Sequence, residues 1–331
     1  MSYSVEEAPE RFGFLLMPQF SLIAFAAAIE TLRLANRSAD APLYEFCILG
    51  QHGESVQASG GFRIEVDAPL QDAAACHTVI VCGGIAVHQF EEREVLAALR
   101  QAQRSGRRLG ALCTGSHVLA RAGLLDGYRC TVHWENLASF SEDFPEIEVT
   151  GNLYEIDRNR FTCAGGSATA DMMMTLVANK HGETLAREVA EQAIHERIRG
   201  PEERQQMSVP ARFGVRHPRL LTVIELMENN LEEPLSRSDL AKAAQLSTRQ
   251  LERLFRRYLE RSPARYYLEL RLRKARQLLL QTSMSVMQVA MACGFVSASH
   301  FTKCYRAYFG RTPYRERAAP QTAATPTPEA T

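Results

Sequence analysis

No stretch of this chain approaches the about 18 consecutive apolar residues that a membrane-spanning helix needs. The most apolar early run, Leu22 to Ile29, is broken by Glu30 and Arg33 and reads as a helix packed on a core. The N-terminus lacks a basic segment leading into an apolar run and a small-residue cleavage site, so no secretory signal and a cytoplasmic setting are expected. The 8 cysteines show no paired spacing of the zinc or redox kind, and reduced buried thiols account for most of them. No metal site and no cofactor is expected. Tryptophan occurs once, at Trp134. Charge of one sign is also lacking in the whole, since 38 basic residues balance 38 acidic ones.

That balance hides a division. From Pro210 to Arg317 there are 20 Lys/Arg against 9 Asp/Glu, which leaves 18 against 29 elsewhere. Only the C-terminal part is therefore suited to face a polyanion. At 331 residues, 46% of them hydrophobic, two domains each with a core are the natural expectation.

The first part alternates short apolar runs with helical patterns. Strands are predicted at Arg11–Met17, Leu43–Leu49, Phe62–Val66, His77–Cys82, Arg108–Leu112, Tyr128–Val132, Glu146–Thr150 and Arg160–Cys163. Helices are predicted at Leu22–Asn36, Glu91–Arg104, Gly115–Ala122, Ser167–Asn179 and Thr184–His195. Such alternation predicts a parallel sheet covered on both faces. Residues 1–195 form this α/β domain. Residues 196–218, polar and carrying Pro201, Pro210 and Pro218, read as a linker with about one helical turn. Residues 219–317 read as all-helical, and 318–331, rich in Ala, Pro and Thr, as a disordered tail.

In the helical part, Ser236 or Ser238 caps a helix with Leu240 and Ala244 inward, and a turn follows at Gln245-Leu246. Ser247 then caps a second helix with Leu251, Leu254, Phe255 and Tyr258 inward and Arg249, Glu252, Arg253, Arg256 and Arg257 outward. The arrangement recurs: a helix over Ser285–Cys293, a turn at Gly294, and a helix over Ser297–Phe309. That last helix has Phe301, Tyr305 and Phe309 inward, and Ala298, Ser299, Thr302, Lys303 and Arg306 outward. Between the units runs a basic helix, Pro263 to Gln281, with Tyr267, Leu270, Leu272, Leu278 and Leu279 as core contacts. These are two helix-turn-helix units, each offering a reading helix, and a stiff spacer can set them in successive major grooves about 34 Å apart. A solvated basic surface is the competing reading of either face alone; the repeat favours DNA.

The run from Leu251 to Thr282, with Gly294-Phe295, Ser299 to Gly310 and Thr312 to Arg317, resembles the AraC/XylS family of regulators. The resemblance implies base contacts from Arg249, Glu252 and Arg253 and from Ala298, Ser299, Thr302 and Lys303. Arg256, Arg257 and Arg306 fit phosphates, which position rather than specify. Ala298 has no hydrogen-bonding group and offers only apolar contact, for example to a thymine methyl.

In the first part, Leu109 to Gly127 places Cys113 at a strand-to-helix turn, where a nucleophile is exposed and a helix N-terminus can lower a thiol pKa. With Val81 to Gly84 before it and Thr131 to Trp134 after it, this stretch resembles the DJ-1/PfpI branch of the class I glutamine amidotransferase-like fold, and the whole resembles the GlxA-type AraC regulators. Enzymes of that branch pair the cysteine with a histidine, matched by His133, and with an acidic residue near the first strand. Here the loop after the first strand, Met17 to Phe25, carries no carboxylate, and Glu30 suits a pair with Arg33. The expectation is no enzyme, with Cys113 and His133 a pseudo-nucleophile pair. A cysteine hydrolase or glyoxalase-like enzyme is the alternative, and a peroxide sensor using Cys113 a third reading.

The resemblance implies a ligand cleft at the strand ends, lined by Gln19–Leu22, Gly83–Ala86, Cys113-Thr114, His133-Trp134 and Gly165–Thr169. The expected ligand-binding residues are Phe20, Gly84, Ile85, Cys113, Thr114, His133, Trp134, Gly166, Thr169 and Asp171. Amides of Gly84 and Thr114 suit a carboxylate. Trp134 either stacks on a quaternary ammonium or packs in the core. Asp171 touches ligand or merely complements the helix dipole. Expected partners are double-stranded operator DNA, a small zwitterionic effector of the betaine, carnitine or arginine kind, RNA polymerase, and a second copy of the chain. The expected role is activation of catabolic genes.

Overall fold

The computed structural model describes residues 8–51, 55–85, 87, 93–206, 217–282 and 284–318. These fall into two compact units, the first closing at Gln205.

The first strand, β1 (Glu10–Leu16), explains the sheet. Phe12, Phe14 and Leu16 alternate with Leu15 and Met17, and both sets are buried, each in a separate core on its own face. A run apolar on both faces can only be a covered strand. It is followed by α1 (Leu22–Ala39), β2 (Tyr44–Gly50), a hairpin of β3 (Ser55–Gln57) and β4 (Arg63–Glu65), and the short β5 (Ala68–Pro69). Then come β6 (Thr78–Cys82), α2 (Arg93–Arg104), β7 (Arg108–Leu112), α3 (Ser116–Arg121), β8 (Arg129–Thr131), α4 (Leu137–Asp143) and β9 (Glu148–Thr150). The unit ends with β10 (Tyr154–Asp157), β11 (Arg160–Cys163), α5 (Ala168–His181) and α6 (Glu183–Gln192).

Seven strands form one sheet in the order β10-β11-β7-β6-β1-β2-β5, parallel except for the antiparallel edge pair β10 and β11. β1 sits between β2 and β6 with Phe12 opposite both Phe46 and Thr78. α1, α5 and α6 supply Phe25, Leu32, Met172, Val177, Leu185 and Val189 to one face. α2, α3 and α4 supply Val95, Leu99, Val118, Leu119 and Phe140 to the other. The chain leaves β1 towards β2 and returns on its opposite side as β6, so the winding reverses beside β1. In open α/β sheets, the crevice beyond the strand ends at such a reversal is where ligands lie.

Two predicted strands differ, and some short elements were not predicted. The expected strands at Tyr128–Val132 and Glu146–Thr150 shorten to β8 and β9 and pair with each other, outside the main sheet. β3, β5, β10 and α4 have no counterpart in the sequence reading. They are 2 to 7 residues long, too short for a periodicity to show. The expected boundary at His195 also moves. Glu196 to Gln205 folds onto the first unit, because Arg199 and Gln205 find partners in its interior. Residues 207–216 of the expected linker, 91–92 of the expected second helix, Ala86 of the expected cleft and 319–331 of the expected tail lie outside the described residues.

The second unit contains α7 (Pro218–Asn229), α8 (Arg237–Ala243), α9 (Thr248–Leu259), α10 (Pro263–Gln281), α11 (Val286–Ala292), α12 (Ala298–Phe309) and α13 (Pro313–Ala318). Serine caps punctuate it. Ser236, Ser247, Ser262, Ser285 and Ser297 each accept a backbone N–H three residues on. Ser247 with Gln250 and Ser285 with Gln288 complete reciprocal capping boxes. The turn of the first repeat passes through Gln245 (φ 53°) and that of the second through Gly294 (φ 72°). A side chain on Gly294 would meet the Leu231 carbonyl and Pro234 at 2.7 Å, so close packing requires glycine there as well. Leu240, Leu251, Phe255, Leu259 and Tyr266 are buried around the first repeat; Leu272, Leu278, Val289, Phe301 and Tyr305 around the second. Tyr258, expected inward, is 37% exposed, because Leu259 takes the core position one residue later. Phe309 and Leu254 are half-buried.

Candidate functional site

The loops expected at the cleft meet around Cys113. That residue has φ 59°, a conformation that costs energy for any side chain other than glycine or asparagine and that recurs at functional turns. Its neighbours are packed to backbone contact. A Cβ on Gly83 would lie 2.2 Å from the Gly115 nitrogen, and one on Gly165 would lie 2.9 Å from the Cys113 Cβ. A Cβ on Gly84 would lie 1.8 Å from the Gln19 carbonyl oxygen. Hydrogen bonds close the ring. The Ile85 amide donates to the Gln19 carbonyl (3.1 Å), the Ser21 amide to the Gly83 carbonyl (3.0 Å), the Cys113 amide to the Cys163 carbonyl (2.9 Å), and the His133 amide to the Cys113 carbonyl (3.2 Å). The Thr114 hydroxyl donates to the Gly84 carbonyl at 2.6 Å.

The electrostatics do not favour a nucleophile. Burial pushes the Cys113 thiol up to about 12, although the Thr114 amide hydrogen-bonds it and pulls the other way. Burial likewise lowers His133, despite Glu135 nearby, and the imidazole is held neutral at pH 7. The imidazole Nδ1 accepts from the Glu135 amide at 3.4 Å, and its ring lies 5.6 Å from that of Trp134. Glu30 lies on exposed surface in a pair with Arg33 at 2.5 Å. Among the described residues, no group of histidine, cysteine and carboxylate side chains could hold a metal ion.

Of the residues expected at the cleft, Gly84, Ile85, Cys113, Thr114, His133 and Trp134 belong to this cluster, with Ile85 38% exposed and the His133 side chain 30%; Gly166 follows Gly165, which packs on Cys113, and itself has open space where a side chain would stand. Three differ. The Phe20 side chain is wholly buried against Phe25, so it is the backbone of that loop that meets Gly84. Thr169 is wholly buried, its hydroxyl beside the Cys163 sulfur at 3.7 Å. Asp171 is wholly buried and both its oxygens are taken, by His195 and by Arg199. A buried carboxylate persists as an ion only with such partners, and here they come from the segment after α6. Arg199 and Gln205 fall in the predicted linker, since nothing local marks them.

In the second unit, Arg249, Arg253, Arg256 and Arg257 are exposed on one face of α9 and line an open concave surface with Glu252, Ser247 and Gln250. Glu252 pairs with Arg237 of α8 at 3.2 Å. The equivalent face of α12 presents Ala298, Ser299, Thr302, Lys303 and Arg306 on a second open surface, with Ala307 and Thr312. Not all the basic residues are available to a polyanion. Arg271 of α10 donates to the Cys293 and Gly294 carbonyls (2.7 and 2.6 Å) and stacks on Phe295, fastening the second turn. Arg261 and Arg265 are paired with Glu269, and Arg276 and Arg311 with Glu316.

The DJ-1/PfpI family model matches residues 12–179 and a helix-turn-helix domain model matches residues 240–319. The chain is 50% identical over 309 residues to the HTH-type transcriptional regulator GbdR of Pseudomonas aeruginosa, covering 93% of this chain and 84% of that one. The chain belongs to the GlxA-type AraC-family regulators. The HTH-type transcriptional regulator GlxA of Rhizobium meliloti is 38% identical over 305 residues, 92% of this chain and 94% of that one. A crystal structure of an AraC family transcriptional regulator from Pseudomonas putida matches with a TM-score of 0.52 at 30% identity, covering 56% of this chain and all of that one. The regulator thus joins a DJ-1/PfpI-like sheet unit to a helical unit with two helix-turn-helix repeats. No helix among its described residues is long and apolar enough to cross a membrane.

Proposed function

We propose that the chain is a cytoplasmic, effector-controlled activator of catabolic genes that grips double-stranded operator DNA with α9 and α12. One observation carries it: the same capped helix, positive-φ turn and capped helix occurs twice, each time leaving an outer face with exposed basic groups free of the core. Arginine and lysine there suit phosphates and guanine edges, while Ala298 and Thr302 suit thymine methyls. Contact with RNA polymerase and pairing of two copies on repeated half-sites belong to the same proposal.

The cluster around Cys113 takes the sensing role. A neutral His133 beside the Trp134 ring suits the cationic end of a zwitterion, and the amides of the glycine loop suit its carboxylate. The effector class is a betaine, carnitine or arginine-like compound. Chromatin immunoprecipitation from cells grown with and without glycine betaine, carnitine or arginine tests this. Promoter sites enriched with one of them are expected, and none under any condition would end the proposal.

One observation favours a second reading, an enzyme of the cysteine hydrolase or glyoxalase kind: the positive φ of Cys113 is the geometry of a nucleophile elbow. Its raised thiol pKa speaks against it, and against a peroxide sensor. A Cys113→Ser variant decides. Regulation within about twofold of the parent is expected, far below the tenfold that 1.4 kcal/mol of lost stabilisation would give, and it would remove the enzyme reading; turnover of a candidate compound by the parent that is lost in the variant would restore it.

A further inference from the structure

The segment from Ile194 to Gln205 carries no helix and only an isolated bridge at Arg204, yet it is fixed along its length. At its start His195 Nε2 lies 2.7 Å from Asp171 Oδ1, which also accepts the Arg199 amide at 2.8 Å. Arg199 Nε and Nη2 donate to Asp171 Oδ2 at 2.9 and 2.6 Å, and Nη2 also reaches the Ser167 hydroxyl at 2.9 Å. In the middle, the Leu153 amide donates to the Pro201 carbonyl and the Tyr154 hydroxyl to the Arg199 carbonyl. At its end Gln205 Nε2 donates to the Asn152 carbonyl (2.7 Å), the Thr131 hydroxyl (2.9 Å) and the Val132 carbonyl (3.1 Å). The strap is then the last part of the first unit before the chain continues to the second.

Both anchors adjoin the candidate effector site. Ser167 and Asp171 follow Gly165, which packs on Cys113. Thr131 and Val132 run directly into His133, whose amide is bonded to the Cys113 carbonyl. A shift of either loop alters a strap anchor, and release of the strap alters the loops. A ligand that binds one arrangement better than the other moves the equilibrium between them.

We propose that this strap is the element through which the effector site controls the second unit: docked, it holds the regulator off, and effector binding releases it at Asp171 or at Gln205. The proposal rests on the sensing reading given above. It assigns Asp171, Arg199 and Gln205 as positioning residues that need not touch the effector.

The test uses the full chain and a reporter carrying a duplex selected by the parent from random sequence. Arg199→Ala and Gln205→Ala are compared with Lys180→Ala, which removes a similar ion pair, with Glu10, elsewhere in the same unit. Hydrogen exchange over residues 196–205 and reporter output without effector are measured. Both strap variants should speed exchange there and raise uninduced output about fivefold or more, the scale of a modest allosteric coupling. Lys180→Ala should change neither. Strap exchange that rises with no change in output overturns the proposal, and so does a strap that stays protected in both variants. If Arg199→Ala does not fold, Arg199→Lys, which keeps the charge but not the forked donors, should give an output between parent and Gln205→Ala; parental output would count against the proposal. Failure of the sensing reading is separately visible. Glycine betaine, carnitine and arginine would then leave the parent's thermal midpoint unmoved, whatever the strap variants do.

Discussion

Around Cys113, single residues decide what the loops can be. Gly84 has its α-carbon so close to the Gln19 carbonyl that a methyl group would overlap it, and the obstacle is backbone, which cannot swing aside. Gly84→Ala is therefore expected to destabilise the first unit by about 1–3 kcal/mol, as overpacking does, read as a lowered thermal midpoint. An unchanged midpoint would mean the two loops are not in contact. His133 makes a prediction about pH. Burial opposes its imidazolium, so its folded pKa lies below the ordinary value. The unfolded chain then takes up the proton first, and stability contributed by the neutral ring is present above the ordinary histidine pKa and lost as pH falls below it. The parent's stability should fall on acidification through that range, and a His133→Gln variant should lose that part of the dependence. Titration of the His133 ring followed by NMR should show a midpoint below 6.5; one at or above it would contradict the burial.

Among the elements, the short helices of the second unit depend on their caps. Helices of 12 and 7 residues such as α9 and α11 are marginal alone in water, so each satisfied N-terminal donor matters. Ser247→Ala and Ser285→Ala are each expected to cost the second unit about 1 kcal/mol, measured by denaturant melts. Ser238→Ala, whose hydroxyl lies 2.8 Å from that of the Ser236 cap but caps no helix itself, should cost less. If all three cost the same, the capping boxes are not what starts these helices. The strand ends of the first unit are tied differently. Burial pushes Glu10 up, but a hydrogen bond from Lys180 and the charge of Arg108 outweigh it and hold the carboxyl below the ordinary range. That linkage stabilises the unit above the ordinary carboxylate pKa and fades as pH falls through the lowered one.

For the whole molecule, the division of charge means that neutrality hides a cationic binding surface. Arg256, Arg257 and Arg306 are exposed and carry no ion pair with a described residue that would compete with phosphate. Operator affinity should therefore fall steeply with salt, log affinity dropping linearly with log salt concentration. Arg256→Ala should shallow that slope by about one unit while leaving the preferred sequence unchanged, and Arg253→Ala should relax the preference at one base pair. A salt-independent affinity would mean that these faces do not dock on DNA.

Much of this was legible in the residues themselves. Cap serines, helical periodicity and the elbow sequence act over a few positions, so most strands of the main sheet, the two repeats and the turn at Cys113 follow from local patterns, whereas the gathering of loops around Cys113 was implied by the family resemblance. Partners distant in sequence did not follow. Asp171 reads as a helix-dipole acid or a ligand contact until Arg199, 28 residues on, is seen to occupy it. The stretch from Glu196 to Gln205 reads as linker because hydrogen bonds to Asn152 and Thr131 leave no local trace. Tyr258 and Leu259 exchange roles because a buried face shifts by one residue at little cost to the helix itself. Sequence by itself determined which segments fold and what surface they show; only the tertiary structure decided which buried charge meets which, since a carboxylate's partner is chosen by packing across the chain rather than along it.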